Sequence, residues 1–131
     1  MSHASILFVE DETLIGMMVE EMVKELGHTV VAVAGTVDDG RSLAEIEEYD
    51  LAILDINLQG FNVQRVAKAI ADRGLPFFFL SGYDVRGVPD GFKEMPILSK
   101  PCTPEALKRT IDFVLANADL DHQAKGHASQ T

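Results

Sequence analysis

The sequence is poor in cysteine and in basic residues, and both shortages exclude classes of protein. Cys102 is the one cysteine among 131 residues, so no intramolecular disulfide can form and no cysteine-based zinc site has its ligand spacing. The 11 Lys and Arg residues are outnumbered by 21 Asp and Glu residues. The resulting net charge of −10 argues against a general affinity for nucleic acid or for an anionic membrane.

Long apolar runs are also missing. No stretch is long enough to cross a bilayer, and the N-terminus lacks the charged and apolar regions of a signal peptide. We therefore expect a cytoplasmic protein that acts on neither membranes nor nucleic acid.

The chain does contain an alternation of short apolar runs with amphipathic segments. This alternation is typical of βαβ units on a parallel sheet, and the length suits one domain. We predict a doubly wound α/β fold of the flavodoxin-like (βα)5 type, with five parallel strands in the order 2-1-3-4-5. The predicted strands are 5–9, 29–34, 51–54, 76–80 and 97–99, and the predicted helices are 13–26, 37–48, 62–73 and one that begins at 103–104.

Two segments break the pattern. Residues 84–95 contain Gly87, Pro89 and Gly91 and have weak helical periodicity, so we expect the fourth helix to be short, frayed or mobile. After about Ala118 the chain turns polar and loses its apolar period. We expect residues 1–118 to form the folded domain and residues 119–131 to be a disordered tail.

Polar residues follow four of the apolar runs. Asp55 ends the third predicted strand, and Glu10 and Asp11 follow the first. Ser81 and Lys100 follow the fourth and fifth strands. A buried charge without a partner costs several kcal/mol or more, so these carboxylates need water, a cation or a metal. In open α/β sheets, ligands bind at these carboxyl ends of the strands.

The predicted strand order brings three of these carboxylates into one crevice. Strands one and three are neighbours, so Glu10, Asp11 and Asp55 would converge and repel one another unless a cation lies among them. Hard oxygen ligands suit Mg²⁺ or Mn²⁺. A metal ion, the Lys100 ammonium and the Ser81 hydroxyl, placed beside a carboxylate nucleophile, are the kinds of group that sites of phosphoryl transfer use.

These residues, in this order, resemble the receiver domain of two-component response regulators over about residues 4–118. The resemblance implies that Asp55 is the phosphoacceptor. It implies that Asp11 binds the metal directly, that Asp55 is also a metal ligand, and that Glu10 acts mainly through water.

The same resemblance supplies three further roles and the partners. Asn57 would give its backbone carbonyl to the metal, Ser81 would be the switch hydroxyl, and Lys100 would contact the phosphoryl group. The donor would be a sensor histidine kinase or a histidine phosphotransfer protein, and the output would pass to a downstream protein that the sequence does not name. Such a protein is not an enzyme in the ordinary sense, because it catalyses only its own phosphorylation and dephosphorylation.

Three positions depart from the common receiver pattern. Ile97 stands where most receivers have Tyr or Phe, Gln59 where proline is usual, and Cys102 where an aromatic is common. Residues 79–83, Phe-Leu-Ser-Gly-Tyr, are similar to a subclass named for a Phe-Ala-Thr-Gly-any-Tyr motif, although the second and third residues differ. Members are often stand-alone receivers of alphaproteobacterial bacteria. Tyr83 is our candidate for the missing aromatic switch, and an ordinary surface-loop tyrosine is the alternative.

Other interpretations stay open at this point. The carboxylates and Lys100 could form an ion-pair cluster that caps strand ends, and Asn57 could serve only a turn. Within signalling, the chain could be a phosphate sink or relay for a kinase. A phosphatase with an aspartate nucleophile is disfavoured, because such enzymes usually place a second Asp at the position of Asn57. A receiver that works as a phosphate-independent interaction module is the remaining rival.

Overall fold

A five-stranded parallel sheet forms the centre of the molecule. The computed structural model describes residues 3–82 and 87–129. The strands, in chain order, are β1 (Ser5–Val9), β2 (Thr29–Ala34), β3 (Leu51–Asp55), β4 (Asn57–Leu58), β5 (Phe61–Asn62), β6 (Phe77–Ser81) and β7 (Ile97–Ser99). The main sheet has the order β2-β1-β3-β6-β7, and all its pairs are parallel. The short strands β4 and β5 form a separate antiparallel hairpin, so the predicted fourth and fifth strands are β6 and β7. The predicted order 2-1-3-4-5 is therefore confirmed.

Helices cover both faces of the sheet, as expected when parallel strands are joined by crossover connections. The helices are α1 (Thr13–Glu25), α2 (Val37–Ile46), α3 (Gln64–Asp72) and α4 (Pro104–Ser129). The ends of α1, α2 and α3 lie within two residues of the predicted ends. The predicted cap of α4 is present, since Thr103 Oγ1 accepts the backbone N–H of Ala106 at 3.1 Å.

The last helix runs further than its apolar periodicity predicted. Its backbone is helical to Ser129, beyond residue 118, where we expected order to end. No proline follows Pro104, and Gly126 is the first glycine after that point, so no helix-breaking residue stops α4 earlier. The end of the folded domain at residue 118 stays a prediction.

The segment between β6 and β7 is irregular over its described part. Residues 87–95 form turns, with Phe92 N–H donating to Pro89 O at 3.1 Å and Met95 N–H donating to Phe92 O at 3.2 Å. Residues 83–86 lie outside the described ranges. Within those ranges the chain has four α-helices, and none of them lies between β6 and β7.

Two apolar layers hold the sheet. Alternate residues of β6 point to opposite faces, so that Phe77 and Phe79 pack in one layer and Phe78 and Leu80 in the other. The first layer includes residues of α2 and α3, and the second includes residues of α1 and α4. Since both faces of the sheet are covered, its carboxyl edge is the place where polar side chains can gather.

The outer strand β2 contains an irregularity. Ile6 pairs with Val30 and Leu7 pairs with Ala32, so Val31 is an extra residue on β2. Such a bulge bends the strand and increases its twist. Val31 and Val33 are 40% and 48% exposed along this edge.

Candidate functional site

A buried ion cluster lies at the carboxyl edge of the sheet. Lys100 Nζ is 2.8 Å from Glu10 Oε1 and 3.1 Å from Asp55 Oδ2. The side chains of Lys100, Glu10 and Asp55 are 8%, 0% and 6% exposed. Lys100 Nζ also lies 3.5 Å from Oε1 of Glu12, whose side chain is largely exposed. One ammonium therefore contacts three carboxylates, two of them removed from water.

The strands fix where these side chains emerge. Asp55 is the last residue of β3 and pairs with Leu80 of β6, one residue before Ser81. The backbone N–H of Lys100 donates to Ser81 O at 2.8 Å, which holds the end of β7 beside the end of β6. Ser81 is buried. The structure therefore brings together Asp55, Ser81 and Lys100, which the sequence placed at three separate strand ends.

Backbone amides hold several carboxylates of the cluster. Asp55 Oδ1 accepts the N–H of Asn57 at 3.1 Å, and Glu10 Oε2 accepts the N–H of Glu12 at 3.1 Å. Asp11 Oδ2 accepts the N–H of Gln59, on the β4–β5 hairpin, at 3.0 Å. One carboxylate oxygen from each of four residues lies within 4.8 Å of the others, these residues being Glu10, Asp11, Glu12 and Asp55.

Burial and charge set the protonation of the cluster. Desolvation raises the pKa of Glu10 to about 7; the close contact with the Lys100 ammonium and the hydrogen bond from the Glu12 amide oppose this rise, and the charge of Asp55 adds to it. Burial by itself would lower the pKa of Lys100, but its contacts with Glu10 and Asp55 outweigh burial and raise that pKa. Lys100 is therefore charged at neutral pH. The carboxylates around it outnumber this one positive charge.

The residues present fit a hard divalent cation. Glu10 Oε1 is enclosed and accepts no hydrogen bond of good geometry among the described residues, so its compensation is the ionic contact with Lys100. Four carboxylates face one ammonium, and carboxylate oxygens are the donors that Mg²⁺ and Mn²⁺ prefer. Asn57 follows two residues after Asp55, and its backbone N–H donates to Asp55 Oδ1, which places its backbone beside this group.

Two features of the site were missed in the sequence. Glu12 belongs to the carboxylate cluster, and its signal was visible because it directly follows Glu10 and Asp11. The β4–β5 hairpin was not predicted either. Its two loop residues, Gln59 and Gly60, have φ values of 52° and 85°, and a type I′ turn requires positive φ at both. A Gln-Gly pair is a weaker hairpin signal than the favoured Asn-Gly or Asp-Gly.

The remaining predicted site residues lie around the cluster. Ile97 is the first residue of β7 and pairs with Phe79, so an aliphatic side chain occupies the position of the usual aromatic. Tyr83, the candidate switch aromatic, lies outside the described residues. Gly82 is exposed, and a Cβ built there would meet no atom of the described residues within 4 Å.

None of the described helices is both long and apolar enough to cross a bilayer.

The chain is similar in sequence and in fold to known proteins. A family model described as the response regulator receiver domain matches residues 6–112. The chain is 29% identical over 115 residues to the transcriptional regulatory protein PdtaR of Mycobacterium tuberculosis, which is 85% of this chain and 56% of that protein. The chain therefore spans about half the length of the curated relatives that it matches.

Two solved structures are similar over most of this chain. SdrG from Sphingomonas melonis Fr1 is 38% identical with a TM-score of 0.79, and the match covers 88% of this chain and 99% of that one. The response regulator PhyR from Brucella abortus is 29% identical with a TM-score of 0.82, covering 97% of this chain and 54% of that one.

Proposed function

This chain belongs to the response regulator receiver family, and from that premise we propose that it accepts a phosphoryl group onto Asp55 with the help of Mg²⁺. The observation that carries the proposal is the buried contact of Asp55 with Lys100 inside a group of four carboxylates. An ion-pair cluster that served only to cap strands would not need this excess of negative charge.

The transfer uses Asp55 as a nucleophile. A carboxylate oxygen of Asp55 forms a bond to phosphorus while the bond from phosphorus to the donor histidine nitrogen breaks, and the nitrogen keeps the electron pair. Lys100 places positive charge beside the phosphoryl oxygens. Glu10, Asp11, Asp55 and the backbone carbonyl of Asn57 would hold Mg²⁺, which when bound neutralises charge on the transferred group.

The product is an acyl phosphate on Asp55, which carries close to two negative charges. The Ser81 hydroxyl then donates a hydrogen bond to a phosphoryl oxygen and draws the segment after β6 with it. Irregular residues 87–95 follow within a few positions. We propose that this segment, together with Tyr83, passes the signal to a partner protein.

The partners follow from this chemistry. The donor is a phosphohistidine on a sensor kinase or on a histidine phosphotransfer protein, and the output is a contact with a downstream protein. The chain acts catalytically only on its own phosphorylation and dephosphorylation. Its net charge of −10 fits protein partners rather than nucleic acid or membrane.

A second function in the same class is a phosphate sink or relay for a kinase. The observation that favours it is the exposed Gly82 beside Ser81: a Cβ built there meets no atom of the described residues within 4 Å, which favours access of water to the acyl phosphate. A half-life of the phosphorylated protein much shorter than the duration of the cellular response would support the sink.

Phosphotransfer profiling tests the proposal. Candidate kinases are labelled with radioactive ATP, and transfer to the wild-type chain is compared with transfer to Asp55→Asn and to Asp38→Asn. Asp38 is a matched control because its carboxylate is 84% exposed and is outside the carboxylate cluster. We expect label on the wild type and on Asp38→Asn, none on Asp55→Asn, and none on the wild type in EDTA. Equal labelling of Asp55→Asn would show that the acceptor is elsewhere.

The switch is tested separately with beryllofluoride, a stable mimic of the phosphoryl group. With Mg²⁺ present, it should shift the NMR signals of residues 81–95 in the wild type and should shift them much less in Ser81→Ala. Unchanged wild-type signals in this segment would rule it out as the output.

A further inference from the structure

The β4–β5 hairpin is bonded to a carboxylate far away in the sequence. The N–H of Gln59 donates to Asp11 Oδ2 at 3.0 Å, across a sequence separation of 48 residues. We propose that this hairpin is a positioning element for the cation site and that it acts through the Gln59 amide. The inference rests on the proposed function, since it assumes that Asp11 binds the cation.

The hairpin fixes the direction of the Gln59 amide. Its strands pair Asn57 with Asn62 and Leu58 with Phe61, which closes the turn around Gln59 and Gly60. Leu58 is 1% exposed and anchors the hairpin in the core. Gln59 has a φ of 52°, a conformation that few residues other than glycine adopt. The turn therefore holds the N–H in a conformation that a relaxed loop would not keep.

The same hairpin contacts two carboxylates of the cluster through its backbone. The N–H of Asn57 donates to Asp55 Oδ1, and the N–H of Gln59 donates to Asp11 Oδ2. These carboxylates come from the ends of β3 and β1, so the hairpin joins the two strands at the site. Each amide occupies one oxygen and holds the carboxylate plane. Among residues 3–82 and 87–129, no hydrogen bond is made to the other oxygen of Asp11, Oδ1, which leaves it to a cation.

Hydrogen bonds to metal-binding side chains usually matter for affinity. Their loss typically weakens metal binding by about 10- to 100-fold, because the ligand must then be ordered at the expense of binding. Coupling of this kind is reciprocal, so a cation held by Asp11 must in turn stabilise the hairpin. The hairpin and the cation site are expected to form and loosen together.

Substitutions at Gln59 test the inference on the full chain. Gln59→Pro removes the N–H and cannot adopt a positive φ, whereas Gln59→Gly and Gln59→Asn keep the N–H and suit this φ. Mg²⁺ affinity is measured by NMR titration, with circular dichroism as a check of folding. We expect Gln59→Pro to bind Mg²⁺ about 10-fold more weakly than the wild type, and both controls to stay within about twofold of it.

A second measurement needs no variant. In the wild type, hydrogen exchange of the Gln59 amide should be slower with Mg²⁺ than with EDTA, and this result decides the matter if Gln59→Pro does not fold. Unchanged exchange would overturn the inference, as would Gln59→Pro binding Mg²⁺ like the wild type or Gln59→Gly binding as weakly as Gln59→Pro. A wild type that binds no Mg²⁺ would overturn both this inference and the cation in the proposed function.

Discussion

At the scale of single residues, Lys100 holds the carboxylate cluster together. Among the described residues it is the cation in contact with Glu10, Glu12 and Asp55. A buried ion pair adds little net stability when intact, but removal of one partner leaves a buried charge without compensation. Lys100 is therefore expected to matter for stability as well as for phosphoryl transfer.

Replacement of Lys100 by alanine should lower the free energy of unfolding by about 3 kcal/mol in EDTA, because Glu10 and Asp55 lose their partner. Added Mg²⁺ should restore part of the loss. Urea unfolding measures both effects. Lys108→Ala is the control, since Lys108 forms an exposed pair with Asp112 and should change stability by less than about 0.5 kcal/mol. Equal losses in the two variants would contradict a special role for Lys100.

His28 gives the fold a dependence on pH that is separate from the site. It is buried, and its Nδ1 accepts the N–H of Ala4 at 3.0 Å. Burial lowers the pKa of His28 below its ordinary 6.5; the negative charge of Asp112 opposes this, and His3 and Lys108 add to it. The unfolded chain therefore takes up a proton that the folded chain excludes.

We expect the stability due to neutral His28 to be fully present above about pH 6.5 and to be lost as the pH falls below it. His28→Asn keeps a hydrogen-bond acceptor but does not titrate. Urea unfolding of the wild type and of His28→Asn between pH 7.5 and 5.5 gives the difference between their free energies of unfolding. The titration of the acidic groups that both proteins share cancels in this difference. Parallel pH profiles would show that His28 does not contribute.

At the scale of elements, the hairpin is also packed against the segment that follows β6. Asn62 Nδ2 donates to Gly87 O at 3.1 Å, and a Cβ at Gly87 would lie 2.7 Å from Ile56 Cγ2. Ile56 is buried and directly follows Asp55. A side chain at position 87 would therefore force Ile56 to shift where this segment packs against the end of β3.

Gly87→Ala should destabilise the protein by about 2 kcal/mol, because the added methyl group overpacks Ile56. Gly82→Ala is the matched control, since no atom lies within 4 Å of a Cβ there. In the Ile56→Ala background the cost of Gly87→Ala should largely disappear. A full cost in that background, measured by thermal or urea unfolding, would place the clash elsewhere.

Most elements could be predicted because their signals are local. The apolar runs locate the strands within a residue of their ends, and the polar residue after each run marks the carboxyl edge. The hairpin could not be predicted in the same way, since its bond to Asp11 depends on the φ of Gln59 and on two strands meeting. The contact of Glu12 with Lys100 could not be predicted either, because it depends on where α1 begins. Contacts made by backbone amides leave no mark on side-chain identity.

At the scale of the whole molecule, the net charge of −10 makes cation binding and salt screening hard to separate. A cation that binds only the folded state adds stability by mass action, about 2.7 kcal/mol at a concentration 100 times its dissociation constant. Screening of dispersed charge depends on ionic strength alone.

Mg²⁺ should therefore raise the free energy of unfolding more than NaCl at the same ionic strength, and Asp11→Asn should remove this extra increment. Asp90→Asn, at an exposed position on the surface, should keep it. Chemical unfolding across a Mg²⁺ series measures the increment. If NaCl stabilises the wild type as much as Mg²⁺ does, a specific cation site is contradicted.

The bulge in β2 has a consequence for behaviour at high concentration. An outer strand with exposed valines offers a template on which strands of other copies could add and form aggregates. The extra residue Val31 interrupts the regular spacing of the strand and twists this edge away from a flat approach. Copies that each carry a net charge of −10 also repel one another. The chain is thereby protected against edge-to-edge polymerisation without covering the edge.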